Sequence, residues 1–317
     1  MKIVLLDGYA SNPGDMDISA FYELGDFTAY DRTAPELVVE RIGDAEIVIL
    51  NKIKLDAEIM DKCPKLKYIG VLATGYDVVD IAAAKERGLI VTNIPAYSTP
   101  SVVQHTFALL LELCCSIAIH NRSVKEGKWS SCPDYTYWER PLIELSGKTM
   151  GIIGLGQIGS AVSKVALSFG MNVLACASRP RKESGIDGVR MAELDEVLAV
   201  SDVISLHCPL TEDNKNLIGA AAISKMRDGA IVINTSRGGL INEEDMANAL
   251  KSGKLGGFAA DVLATEPPVN GSPLFQAPNC VITPHIAWAP FESRARLFNT
   301  AIENVRSYIA GRPQNVV

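Results

Sequence analysis

Between Lys148 and Ser160 the chain reads KTMGIIGLGQIGS. An apolar run, Met150–Ile153, turns through Gly154-Leu155-Gly156-Gln157-Ile158-Gly159 into a helical pattern over Ser160–Phe169, and Gly170 stops that helix before a second strand-like run, 172–177. The spacing gives each glycine its own task. Gly154 permits a tight turn, Gly156 lets a pyrophosphate approach the backbone, and Gly159 lets helix and strand pack closely, while the helix N-terminus around Gln157 and Ile158 supplies N–H donors. A glycine triplet alone is a weak signal; set between a strand and a helix it predicts a dinucleotide-binding turn.

With 317 residues the chain is long enough for about two domains. A net charge of −7 argues against nucleic-acid binding, which needs clustered Lys and Arg, so a small-molecule partner is expected. Seven cysteines without a CxxC pair fit reduced thiols and hence a cytoplasmic protein. The opening MKIVLLDGYA reads as a first strand rather than a signal peptide. The densest apolar stretch, 107–119, is interrupted by Glu112 and is too short to span a bilayer, so no membrane role is expected. No ligand cluster suggests a metal.

Residues 1–99 alternate strand and helix patterns, with strands expected at 3–6, 27–30, 47–50, 68–72 and 90–93. That alternation implies a parallel sheet covered on both faces. Thr33-x-x-Glu36 has the form of a capping box. Ligands of open parallel sheets sit beyond the carboxyl ends of strands, which singles out Asn51-Lys52 and Ala73-Thr74-Gly75-Tyr76. The second loop is a candidate anion nest of successive N–H groups; it equally suits an ordinary strand-to-helix turn with Gly75 at positive φ.

Thr99 as N-cap and Pro100 as first helical residue should open one long helix running toward His120. Residues 125–142 follow without regular pattern and carry Trp129, Tyr135, Tyr137 and Trp138, which suits an arm packing on a second subunit or a cover within the chain. From 148 to 286 a second series has strands expected near 150–154, 172–177, 203–206, 230–234, 257–262 and 280–283. A last helix, 292–309, carries Leu297, Phe298, Ala301, Ile302, Val305, Tyr308 and Ile309 on one face and should return to the first domain. The expected architecture is therefore α/β: two doubly wound parallel-sheet domains, with a Rossmann domain, 100–286, inserted in a discontinuous flavodoxin-like substrate domain, 1–99 plus 287–317. The expected cleft lies where the chain crosses between them.

Three strand ends in the second series carry reactive groups: Asn234-Thr235-Ser236-Arg237, Asp261 through Glu266, and Thr283-Pro284-His285 followed by Trp288. An Arg clamps a carboxylate through two parallel hydrogen bonds, a His exchanges a proton near neutral pH, and a Glu beside it orients the ring and favours its protonated form. Together they suit reduction of a 2-oxo acid. His207 fits a role in shaping its strand end, His105 lies inside the long helix, and His120 suits a surface or capping position.

The chain resembles the D-isomer-specific 2-hydroxyacid dehydrogenases, and within them the glycerate dehydrogenase (hydroxypyruvate reductase) branch. The likeness runs along nearly all of it: LDGYASNPGD, NKIKL, YIGVLATGYDVVD, IPAYSTPSVVQHTFALLL, GIIGLGQIG, SLHCPLT, NTSRGGLIN, DVLATEPP and ITPHIAW. The resemblance implies that Arg237 binds the substrate carboxylate and carbonyl, that His285 is the general acid/base, and that Glu266 pairs with it. It places Asp261 near a nicotinamide, Cys208, Pro209, Thr235 and Ser236 along the cofactor, and implies a homodimer held by the cofactor domain and its aromatic arm. Hydroxypyruvate or glyoxylate is the expected substrate. A phosphorylated or branched 2-oxo acid is the alternative, and a non-enzymatic corepressor-like binder a remoter one. A formate dehydrogenase is disfavoured because direct hydride abstraction from formate needs no acid/base pair.

The cofactor is expected to be NAD or NADP. An NAD enzyme usually places an acid at the end of the second strand to receive the adenosine ribose hydroxyls. Here that position is Ala177, followed by Ser178, Arg179, Pro180 and Arg181, which favours a 2′-phosphate and so NADP.

Overall fold

The computed structural model describes residues 1–177 and 182–317. Its contacts divide the chain into two compact units, Met1–Ser98 with Trp288–Val317, and Thr99–Ala287.

The first unit has five strands: β1 (Lys2–Leu5), β2 (Asp26–Ala29), β3 (Ile47–Leu50), β4 (Tyr68–Val71) and β5 (Ile90–Thr92). They pair in parallel in the order β2-β1-β3-β4-β5, which is flavodoxin-like. β3 and β4 read IVIL and YIGV with every residue buried, as a strand covered on both faces requires. Alternation along β1 sends Ile3 and Leu5 into one apolar cluster and Val4 into another. The helix Phe291–Ile309 adds Leu297, Phe298, Ala301, Ile302 and Val305 to the Ile3 side; Ile309, its last residue, is exposed instead. The C-terminal residues protect the β5 edge, with Asn93 N–H donating to Asn315 O and Val317 N–H to Val91 O. The expected capping box does not form. The Thr33 hydroxyl donates to Leu6 O at 2.5 Å and accepts from Arg41, so it ties a loop to the sheet.

The second unit has seven strands: β6 (Thr149–Ile153), β7 (Asn172–Cys176), β8 (Val189–Met191), β9 (Val203–Leu206), β10 (Ala230–Asn234), β11 (Leu255–Ala260) and β12 (Cys280–Ile282). All are parallel, in the order β12-β11-β10-β9-β6-β7-β8. Counted from β6, this is the Rossmann order extended by one strand. The sequence reading missed β8, a three-residue edge strand of which only Val189 is buried.

The long helix expected from Thr99 toward His120 is two helices, Thr99–Cys115 and Ile117–Lys125, bent by 56°. Ser116 between them is left-handed, at φ +49° and ψ 44°. The Ala118 N–H at the start of the second helix is taken by the Glu112 carboxylate, 3.3 Å away in the last turn of the first. Thr99 lies within the helix rather than capping it. Among the described residues no single helix is long and apolar enough to cross a membrane.

Candidate active site

The parallel register sets the strand ends of the second unit at one level: Ile153 aligns with Leu206, Leu206 with Asn234, Asn234 with Ala260, and Ala260 with Ile282. Every reactive group expected in this unit leaves from that edge.

Gly154, following β6, has φ +100°, and a Cβ there would lie 2.6 Å from Cys208 N. The close approach of the loops after β6 and β9 therefore excludes any side chain. A Cβ on Gly159 would meet Gly154 O at 2.1 Å, so that glycine allows the helix Gln157–Ser168 to pack on its strand. Gly156 differs, because a Cβ there would meet nothing within 4 Å. It is the helix N-cap and has no side chain with which to satisfy the first-turn N–H groups of Gln157, Ile158 and Gly159. Open space before unsatisfied donors fits a pyrophosphate. Ala177 directly follows β7 at the same edge, whereas Ser178 and Arg179 lie outside the described residues. Cys208 and Pro209 follow β9, with Asn214 donating to Pro209 O at 2.8 Å. Burial pushes the Cys208 thiol up, and that of Cys176 up to about 11, so neither is a thiolate at neutral pH.

After β10, the wholly buried Asn234 shapes the loop that carries Arg237. Its side chain accepts from Ser236 N–H at 3.0 Å and donates to Arg237 O at 2.9 Å, while the Ser236 hydroxyl donates to Leu206 O at 2.7 Å. Arg237 is left exposed, with Nη1 donating to Ser236 O. After β12, His285 Nδ1 lies 2.6 Å from Glu266 Oε2, and each side chain is about a third accessible, at 29% and 34%. A carboxylate only accepts, so Nδ1 carries the hydrogen and Nε2 faces away from this bond. His285 stands at φ +56°, a strained conformation for a side-chain-bearing residue. Glu266 is held by its own loop, with Oε1 accepting from Leu263 N–H at 3.0 Å.

Asp261, expected near a nicotinamide, directly follows β11 at the same edge. It is 1% exposed, and its carboxylate accepts from Thr283 Oγ1 (2.6 Å), Ile286 N–H (2.8 Å) and Ala287 N–H (2.7 Å). It thus clasps the segment carrying His285 on both sides. Glu243 does the same for the Glu266 loop, accepting from Ala264 N–H at 2.8 Å and from the Ser272 hydroxyl at 2.5 Å. The sequence analysis named Asn234 only as part of the Arg237 strand end and missed Glu243, which is marked in sequence only as an acid in the first turn of the helix Glu243–Lys251. His120 is a link, bonded through Nδ1 to Ser116 O and through Nε2 to Glu139 N–H. His207 bonds Ser205 Oγ at 2.8 Å, but its Nδ1 is buried with no protein partner, and burial pushes its pKa down to about 3.

In the first unit two strand-end loops contrast. The N–H groups of Asn51, Lys52 and Ile53 all point at the Asp7 carboxylate, at 2.7, 2.6 and 3.2 Å. Burial raises the Asp7 pKa although these bonds oppose it. The Asn51 amide is buried and donates to Leu72 O at 2.6 Å, joining the loop after β3 to the end of β4. Lys52 remains exposed. After β4, the side chain and carbonyl of Thr74 are bonded to Ile94 O and Asn93, whereas the N–H groups of Thr74, Gly75 and Tyr76 donate to no acceptor among the described contacts. Ala73 O accepts from Ile94 N–H. Trp288 is partly buried against the apolar cluster on the Ile3 side.

Over residues 107–287 the sequence matches the family described as D-isomer specific 2-hydroxyacid dehydrogenase, NAD binding domain. It is 50% identical to a hydroxypyruvate reductase from Blautia hydrogenotrophica, covering 100% of this chain and 99% of the relative. It is 41% identical to a glycerate dehydrogenase from Methylorubrum extorquens, covering 100% and 98%. Among solved structures, an acyclic imino acid reductase (Bsp5) in complex with NADPH and D-Arg superimposes with a TM-score of 0.86 at 31% identity, over 100% of both chains.

Proposed function

The chain belongs to the D-isomer-specific 2-hydroxyacid dehydrogenase family, and on that premise we propose that it reduces hydroxypyruvate to D-glycerate, with glyoxylate as a slower second substrate. The reaction type rests on one observation, the 2.6 Å His285–Glu266 pair on loops leaving β12 and β11, with β11 next to the strand β10 that Arg237 follows. The likeness to a hydroxypyruvate reductase over the full chain supports the substrate.

A bound reduced nicotinamide supplies the hydride that reaches C2 of the 2-oxo acid. His285 Nε2 delivers a proton to the carbonyl oxygen, which becomes the hydroxyl. Glu266 accepts the Nδ1 hydrogen throughout, fixing the ring and balancing the charge it carries when doubly protonated. Arg237 holds the substrate carboxylate. In the first unit the open N–H groups of Thr74, Gly75 and Tyr76 form a nest suited to an anion. The donors at Gln157, Ile158 and Gly159 hold the cofactor pyrophosphate beside Gly156. Ala177 puts no carboxylate against a 2′-phosphate, and Arg179 follows it in sequence, so NADPH is the preferred reductant. The functional protein is a homodimer, and its seven free cysteines suit the cytoplasm.

The test is a kcat/KM panel of hydroxypyruvate, glyoxylate, pyruvate and branched 2-oxo acids, each with NADPH and NADH. Hydroxypyruvate with NADPH should lead. A clear preference for a branched acid would overturn the substrate, and one for NADH the cofactor. His285→Ala should lower kcat by about two to four powers of ten with cofactor affinity kept; near-normal turnover would remove His285 from the proton step.

A further inference from the structure

Two consecutive residues of the helix Thr99–Cys115 reach the edge where the chemistry is placed. Thr106 Oγ1 lies 3.1 Å from Thr235 Oγ1, on the loop that leads to Arg237. His105 Nε2 lies 2.9 Å from Thr283 Oγ1, two residues before His285. The second contact continues inward, because the Thr283 hydroxyl is also 2.6 Å from Asp261 Oδ1. A carboxylate offers no hydrogen, so the Thr283 hydroxyl must spend its only one on Asp261. It then has only lone pairs to offer His105, and His105 Nε2 must be the donor. Hydrogen-bond chemistry thereby fixes both the direction of the chain of bonds and the tautomer of the imidazole.

Asp261 is also the carboxylate that holds Ile286 and Ala287 N–H, on the far side of His285. His285 sits between these anchors in a left-handed conformation at φ +56°, which persists only if its surroundings enforce it. His105 Nε2 is 3.5 Å from Asp261 Oδ1, and among the described residues no other cationic or potentially cationic side chain pairs with this buried carboxylate.

We propose that His105 is a positioning residue for the proton donor: by donating to Thr283 it orients the Thr283 hydroxyl onto Asp261 and so tightens the clasp that keeps His285 aimed at its partner. This rests on the reading of His285 as the proton donor. The role is transmitted through Thr283, and that makes it separable from simple packing.

The experiment compares His105→Phe, which fills the space but cannot donate, with His105→Gln, whose amide nitrogen can replace Nε2. Both are made in the full chain, alone and with Thr283→Val. His105→Phe should lower kcat about tenfold or more, as small misplacements of reacting groups do, with KM and cofactor affinity within about twofold, while His105→Gln restores most of the turnover. In the Thr283→Val background, His105→Phe should add nothing further. Unchanged kcat in His105→Phe, equal damage in His105→Gln, or a full additive loss on Thr283→Val would each overturn the proposal. Amide exchange at Ile286 and Ala287 needs no substrate and should quicken in His105→Phe but not in His105→Gln. If the wild type reduces no 2-oxo acid, the functional reading falls while this measurement still decides the clasp, and unchanged exchange in His105→Phe would overturn it.

Discussion

At the scale of single residues, the groups to which the proposed chemistry is assigned were readable because their types are demanding: a proton carrier, a carboxylate to hold it and a guanidinium, each on a loop that follows a strand. The residues that position them were not. Asp261 and His105 are ordinary polar residues in sequence, and only the fold brings an aspartate at the end of β11, a threonine at the end of β12 and a helix histidine 178 positions away into one chain of bonds. His207 shows the same limit. Its place at a strand end was expected, but not an enclosed Nδ1 that lacks a protein partner. Burial holds its folded pKa at about 3 against 6.5 for the free group. The unfolded chain therefore binds a proton that the fold refuses, and stability falls as pH drops from 6.5 toward 3. The steepest contribution is about 1.4 kcal/mol per pH unit. His207→Gln retains a partner for Ser205 and does not titrate, so urea unfolding between pH 7 and 4 should give an acid limb shallower by up to one proton. Parallel curves for the two proteins would contradict a neutral, buried His207.

Elements were legible wherever apolar periodicity was strong. All five strands of the first sheet lie within two residues of the expected positions, and six of the seven in the second were foreseen. β8 escaped because VRM at a sheet edge buries only Val189 and so has no pattern to read. The break at Ser116 escaped for another reason. Apolar spacing continues through it, and what divides the helix is a left-handed serine plus a carboxylate from the turn before, neither of which has a periodic signature. The glycine turn yields a sharper prediction, because its three glycines meet different surroundings. A methyl group on Gly159 would sit 2.1 Å from a backbone oxygen, so Gly159→Ala should misplace the helix and destabilise the fold by about 1–3 kcal/mol or more. At Gly156 a Cβ would meet nothing within 4 Å, so Gly156→Ala should cost no more than the roughly 1 kcal/mol of a poorer N-cap, while the methyl intrudes on the space left for a pyrophosphate. Thermal unfolding beside a fluorescence titration with NADPH separates them. Normal cofactor affinity in Gly156→Ala would show that the open space is not where the phosphates lie.

At the scale of the whole molecule the segment 117–142 raises the question of what covers it. Tyr135 is 90% exposed and Trp138 66%, and Ile117, Val124, Trp129 and Leu142 are exposed as well. A loose loop could bear such residues at little cost, but this one is pinned. Glu139 N–H donates to His120 Nε2, its carboxylate accepts from Ser123 Oγ at 2.6 Å and from Lys128 at 2.8 Å, and Tyr137 bonds Ser123 at 2.7 Å. The Lys128 ammonium, more than any other neighbour, holds the Glu139 carboxyl below its ordinary range. Polar groups thus tie the arm to its helix while the aromatic surfaces remain outside, the inverse of a local cover. Rigid exposed aromatics of this kind are what protein interfaces are enriched in. A second copy of the chain is the partner the reading favours, through a self-complementary two-fold contact. Sedimentation at micromolar concentration should give twice the 34.1 kDa chain mass. Tyr135→Asp combined with Trp138→Asp should lower this to one chain with the far-ultraviolet spectrum unchanged, since neither residue is buried in the chain itself. A monomeric wild type, or a dimer indifferent to both charges, would mean that the arm serves some surface other than its own copy.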